Sequence, residues 1–75
     1  MKMKKILIKS DVAGVVNEIC FSKGDIVKKG ESLLFIESMK MEIPVLASDD
    51  GTIAEIMVEE EEAVAEGQVV IVIDA

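Results

Sequence analysis

Residues 13 to 38, AGVVNEICFSKGDIVKKGESLLFIES, lie without a gap on residues 50 to 75, DGTIAEIMVEEEEAVAEGQVVIVIDA, at an offset of 37 positions. Gly14 meets Gly51, Glu18 meets Glu55, Ile19 meets Ile56, Val27 meets Val64, Gly30 meets Gly67 and Ile36 meets Ile73, and the apolar pattern agrees almost throughout. In a chain of 75 residues such a duplication leaves little freedom. Two similar units, neither able to bury its apolar face alone, are expected to pack face to face. Each copy reads as a glycine turn, a strand of about six residues, a polar turn, a very short strand at Asp25–Val27 or Glu62–Val64, a second glycine turn and an apolar strand. The last strands, LLFI and VVIVI, are unbroken apolar runs, too short for helices and suited to strands covered on both sides. The expected fold is all-β: a flattened antiparallel β-barrel or sandwich of two four-stranded halves related by an approximate two-fold axis, with residues 1–75 as a single domain.

Details of the repeat carry further expectations. Val15, Asn17, Ile19 and Phe21 share one parity while Val16, Glu18 and Cys20 share the other, so a bulge between Asn17 and Phe21 shifts the inward face, at a register the pattern does not fix. Gly14, Gly30, Gly51 and Gly67 are expected at turns with positive φ. Cys20 aligns with Met57 and is expected at an apolar structural position. The acidic run Glu59–Glu62 reads as a solvated loop that has to turn without glycine, since Glu61 stands where the first copy has Gly24.

Composition excludes several functions. The chain has no His and no Arg and a single Cys, so His-activated nucleophiles, His/Cys metal sites and an internal disulfide are not expected. Residues 1 to 40 carry a net +3 and residues 41 to 75 a net −10, a balance that argues against nucleic acid as a partner. The apolar patch in MKMKKILI is too short for a signal-peptide core, and no run reaches membrane-spanning length. The expectation is a cytoplasmic, non-catalytic monomer.

Between the two copies lies a linker, MKMEIPVLASD, residues 39 to 49, which places Lys40 at the hinge of the duplication. Met39 and Lys40 would occupy a tight turn although neither favours the positive φ such turns demand. Pro44 removes a ladder donor and belongs on an edge strand or at a bulge. Exposed thioethers on both sides of one lysine are costly unless something packs on them. A turn built against local preference is where function overrides folding rules.

ESMKMEI, at the midpoint of an internal repeat, resembles the segment around the modified lysine of biotin carboxyl carrier (biotinyl) domains, and the resemblance runs from about Ser10 to Asp74. It implies that Lys40 forms an amide with biotin, installed by a biotin protein ligase from biotin and ATP. It implies that Met39 and Met41 help the ligase and the carboxylase recognise the tip, and that Glu42 favours the biotin ligase over the lipoyl ligase. The partners implied are biotin protein ligase, biotin carboxylase, and a carboxyltransferase or decarboxylase, between which the arm carries a carboxyl group. Ser38 replaces the alanine common in the family before the triplet, and SDVAG lacks a proline frequent there. The near-copy MKMK at Met1–Lys4 is read as irrelevant. A lipoyl carrier and an unmodified adaptor stay open as alternatives; lipoyl domains usually flank their lysine with Asp or other non-methionine residues, and a purely structural hairpin would favour Asn-Gly.

Overall fold

A computed structural model describes residues 4–75, so most of the MKMK segment lies outside the described residues. Eight strands follow in order: β1 Lys5–Lys9, β2 Gly14–Ile19, β3 Ile26–Val27, β4 Ser32–Ser38, β5 Met41–Leu46, β6 Gly51–Ile56, β7 Ala63–Val64 and β8 Val69–Asp74. They form two four-stranded antiparallel sheets, β1-β8-β6-β3 and β5-β4-β2-β7. The offset of 37 maps β1 to β5, β2 to β6, β3 to β7 and β4 to β8, so the duplication extends beyond the aligned segments into Lys5–Lys9 and the supposed linker.

The halves do not face each other as separate units, which corrects the simplest reading of the repeat. Each sheet takes two strands from each half: β1 and β3 leave the first half to pair with β8 and β6 of the second. The reason is that a hairpin's two strands expose one apolar face, and exchange of the outer strands lets both sheets share one core.

That core consists largely of equivalent pairs: Ile8 with Val45, Val16 with Ile53, Val27 with Val64, Leu33 with Val70, Leu34 with Ile71 and Ile36 with Ile73, all buried. The bulge expected between Asn17 and Phe21 falls at the start of that span, between Val16 and Glu18, and its counterpart falls between Ile53 and Glu55. Each turns the inward face from Val16 or Ile53 to Ile19 or Ile56. Ser10, buried where the second half has Ala47, keeps its hydroxyl satisfied by donating to the Val12 carbonyl at 2.6 Å.

Turns repeat as faithfully. The Gly24 N–H donates to the Ile53 carbonyl and the Ile53 N–H to the Asp25 carbonyl; likewise Glu61 N–H to Val16 and Val16 N–H to Glu62. Gly24 has φ 95° and Glu61 φ 72°, so the acidic run does turn left-handed without glycine. Two of its carboxylates are structural rather than merely solvated: Glu62 accepts from the Glu59 N–H at 3.0 Å and Glu60 from the Ile19 N–H at 3.2 Å.

Gly30 and Gly67 have the expected positive φ, but Gly14 and Gly51 do not and serve another purpose. A Cβ at Gly14 would collide with the Glu37 carbonyl oxygen and come within 2.7 Å of Ile36 Cγ2; at Gly51 it would meet Asp74 and Ile73 in the same way. Their hydrogens let β2 lie close on β4 and β6 close on β8.

The molecule measures 43 × 17 × 17 Å. Lys4 and Ala75 exchange backbone hydrogen bonds of 2.9 Å in the position equivalent to the β4–β5 hairpin. β8 starts beside Ser10, on the hairpin side, and runs away from it, so the Lys4–Ala75 pair lies at the opposite end of the long axis.

Candidate functional site

Ser38 and Met41 pair directly across the β4–β5 hairpin, leaving Met39 and Lys40 as the whole of its turn. Their φ values are 51° and 66°. Two successive positive φ values mark a type I′ turn, whose twist suits the flanking strands and which normally takes Asn-Gly. A side-chain-bearing residue in that region costs about 1–2 kcal/mol. The strain therefore sits at the tip, where the side chains pack on little: Met39 is 92% and Met41 63% exposed, and Lys40 is exposed between them.

The strands below the tip set its electrostatics. Glu37 and Glu42 are direct cross-strand partners, both exposed. Their equivalents at the other end of the molecule, Asp74 and Lys5, form an ion pair of 2.7 Å. Two carboxylates thus face each other where the duplicate has opposite charges, an arrangement unfavourable for the hairpin itself. Ser38 is half-buried at the hairpin's closing pair. Pro44 lies on β5, the edge of its sheet, where its missing N–H costs no ladder bond.

Residues 38 to 42 are thus brought together on one hairpin; Gly14 is the contributor that sequence reasoning misassigned. It sits under the hairpin base against the Glu37 carbonyl, and a glycine at the start of a strand is itself a signal of close backbone approach. Cys20 is not at an apolar interior position: it is exposed, as is its equivalent Met57. Partial desolvation of the thiol, with a further contribution from Glu18, raises its pKa above the ordinary thiol value. The alignment of the two positions holds, but both lie just beyond the ends of β2 and β6, outside the packed layer.

A shallow cleft of about 440 Å³ lies on the approximate two-fold axis, between the edge strands β1 and β5. Leu7 with Pro44, Ile8 with Val45 and Lys9 with Leu46 line it as equivalent pairs. Pro44 stands four residue steps from Lys40, at ~3.3 Å each, so the cleft is roughly 13 Å from the lysine. Among the described residues, no cluster of His, Cys, Asp and Glu could hold a metal ion and no helix is long and apolar enough to cross a membrane. What the tip offers chemically is an accessible primary amine.

The biotin/lipoyl family, described as biotin-requiring enzyme, matches residues 18–73. The chain is 36% identical over 66 residues to the biotinylated protein TB7.3 homolog of Mycobacterium leprae, covering 88% of this chain and 93% of that protein. It is 37% identical over 60 residues to the biotin/lipoyl attachment protein of Bacillus subtilis, covering 80% and 82%. Its fold superposes on the urea carboxylase of Kluyveromyces lactis with a TM-score of 0.89 and 29% identity, over 97% of this chain and 6% of the enzyme. With the family pattern running from within β2 into β8, the chain belongs to the biotin/lipoyl attachment family.

Proposed function

We propose that this protein is a biotin carboxyl carrier, one biotinyl domain over its 75 residues, whose Lys40 is joined to biotin by a biotin protein ligase. The observation that carries this reading is the two-residue turn Met39-Lys40, held at positive φ by two residues that disfavour it and exposed on every side. An accessible tip suits an amine that another enzyme must acylate, and the lack of an enclosing pocket suits an arm that swings free. Biotin supplies, when bound, a ureido nitrogen able to carry a carboxyl group. The chain's own part is positional. Lys40 Nζ gives up two protons and its charge on forming the amide, one to become the nucleophilic amine and one on acylation; the strained turn aims the arm away from the sheets, and Met39 and Met41 offer apolar contacts to the enzymes that visit. Glu42, with Glu37 opposite, gives the base of the hairpin an anionic character that a ligase can read, and Ser38 closes the turn without bulk. A small body carrying the arm raises the local concentration of the group at each active site. The protein itself is non-catalytic and works in the cytoplasm with a biotin carboxylase and a carboxyltransferase or decarboxylase.

The test is intact mass after incubation with biotin protein ligase, biotin and ATP, for the wild type and Lys40→Arg. One biotinyl group is expected on the wild type and none on the variant. Lipoylation by a lipoyl ligase without biotinylation would make it a lipoyl carrier, and no modification by either would make it an adaptor.

A further inference from the structure

Met39 is the most exposed large apolar side chain among the described residues, at 92%; Ile26 is next at 78% and Met41 third at 63%. The positive φ at Met39 and Lys40 fixes the turn, and Met41, although on the same face of β5 as Ile43 and Val45, stands beyond the end of the core and stays exposed. Both sulfurs are therefore open to small oxidants, and both flank the amine that has to be recognised.

We propose that Met39 and Met41 form a reversible oxidation site that gates the loading of Lys40, their conversion to sulfoxides by a peroxide blocking acceptance of the acyl group. The proposal rests on Lys40 being the acceptor. In each event the sulfur lone pair attacks one peroxide oxygen, the O–O bond breaks and an S–O bond forms. The sulfur loses two electrons, and the second oxygen leaves as water with both protons of hydrogen peroxide. A thioether is apolar and a weak acceptor, whereas a sulfoxide is polar and must be desolvated to enter a site shaped for methionine. Lys40 is chemically untouched, so reduction of the sulfoxides restores the acceptor.

The other candidate sulfurs are Met1, Met3, Met57 and Cys20; Met1 and Met3 lie outside the described residues, and both, with Met57, remain in a Met39→Leu/Met41→Leu variant, which separates their oxidation from that of the pair. Met57 is 55% exposed but lies beyond the end of β6, whose last residue pairs with Ile71 near mid-molecule, well away from the hairpin. Cys20 is the chain's single thiol; the raised pKa described above lowers its thiolate fraction, and at pH 5 a thiol is a poor competitor for peroxide.

The experiment uses the full chain carrying Cys20→Ser, oxidised with hydrogen peroxide at pH 5, with peptide mass spectrometry to place each gain of about 16 Da. The rate of biotinylation by biotin protein ligase is then measured before oxidation, after it, and after treatment with methionine sulfoxide reductases. The expected result is sulfoxide at Met39 and Met41, a loss of about tenfold or more in rate, and recovery on reduction. A Met39→Leu/Met41→Leu variant that accepts biotin should lose nothing under the same peroxide; if that variant is not accepted at all, the reductase arm decides. An unchanged rate in the doubly oxidised wild type, or a loss that reduction does not reverse, overturns the gate while leaving the carrier reading intact. Failure of the unoxidised protein to take biotin overturns both.

Discussion

Cys20 illustrates how far a side chain's surroundings can depart from what its sequence neighbours imply. It lies between Ile19 and Phe21, both of which pack on the core, yet the chain leaves β2 after Ile19 and the thiol faces outward. Partial burial, then the Glu18 carboxylate, disfavour its thiolate and raise its pKa. Alkylation by iodoacetamide should therefore follow a pH profile whose midpoint lies above that of the urea-unfolded chain, and Glu18→Gln should move it back toward the unfolded value; a folded midpoint at or below the unfolded one would contradict the assignment. The sign for stability follows from the same shift: a group whose folded pKa is raised favours the fold below its unfolded pKa, and that contribution is lost as pH rises through the folded value. At the glycines the contrast is steric. Gly14→Ala places a methyl group against the Glu37 carbonyl and should destabilise the fold by about 1–3 kcal/mol in urea titration, because the obstacle is backbone and cannot rotate away.

The β4–β5 hairpin shows a conflict confined to one element. Its strands agree with their neighbours, with Ile36 opposite Ile43 and Phe35 opposite Pro44, while its turn contradicts the preferences of Met and Lys. Replacing Met39-Lys40 by Asn-Gly should raise stability by about 1–3 kcal/mol, read as a higher urea midpoint, while removing the proposed acceptor. The position of the turn was legible in the sequence because it falls at the centre of the duplication, between two apolar runs. So were the short strands and the presence of a bulge in β2, though not its register, and Pro44 was narrowed to an edge strand or a bulge, of which the structure has the edge. The exchange of strands between sheets was not legible, because repetition reports that two units are alike and says nothing about which strands of each become neighbours. Lys5–Lys9 escaped as a repeat element for a related reason: KILIK and EIPVL share only an apolar pattern, and their charged residues have opposite signs. Gly14 and Gly51 were misread because a glycine needed for close approach and one needed for positive φ look the same in a sequence.

At the scale of the molecule the approximate two-fold axis relates the hairpin to the meeting point of Lys4 and Ala75, whose exchanged hydrogen bonds occupy the place of the Ser38–Met41 pair. A circular permutant that joins Ala75 to Lys4 through Asn-Gly and opens the exposed turn between Ser48 and Asp49 should fold to within about 2 kcal/mol of the parent, as judged by urea unfolding, and should still take biotin at Lys40. A permutant that remains unfolded would show that the equivalence of the two ends is only geometric. Since Lys4 and Ala75 lie together at the end remote from Lys40, anything attached there grips the molecule by its heel. The 43 Å body then acts as a rigid boom, and a few degrees of pivot at the grip sweep the lysine through several ångströms, so that reach is set by the length of the sandwich before any flexible arm is counted.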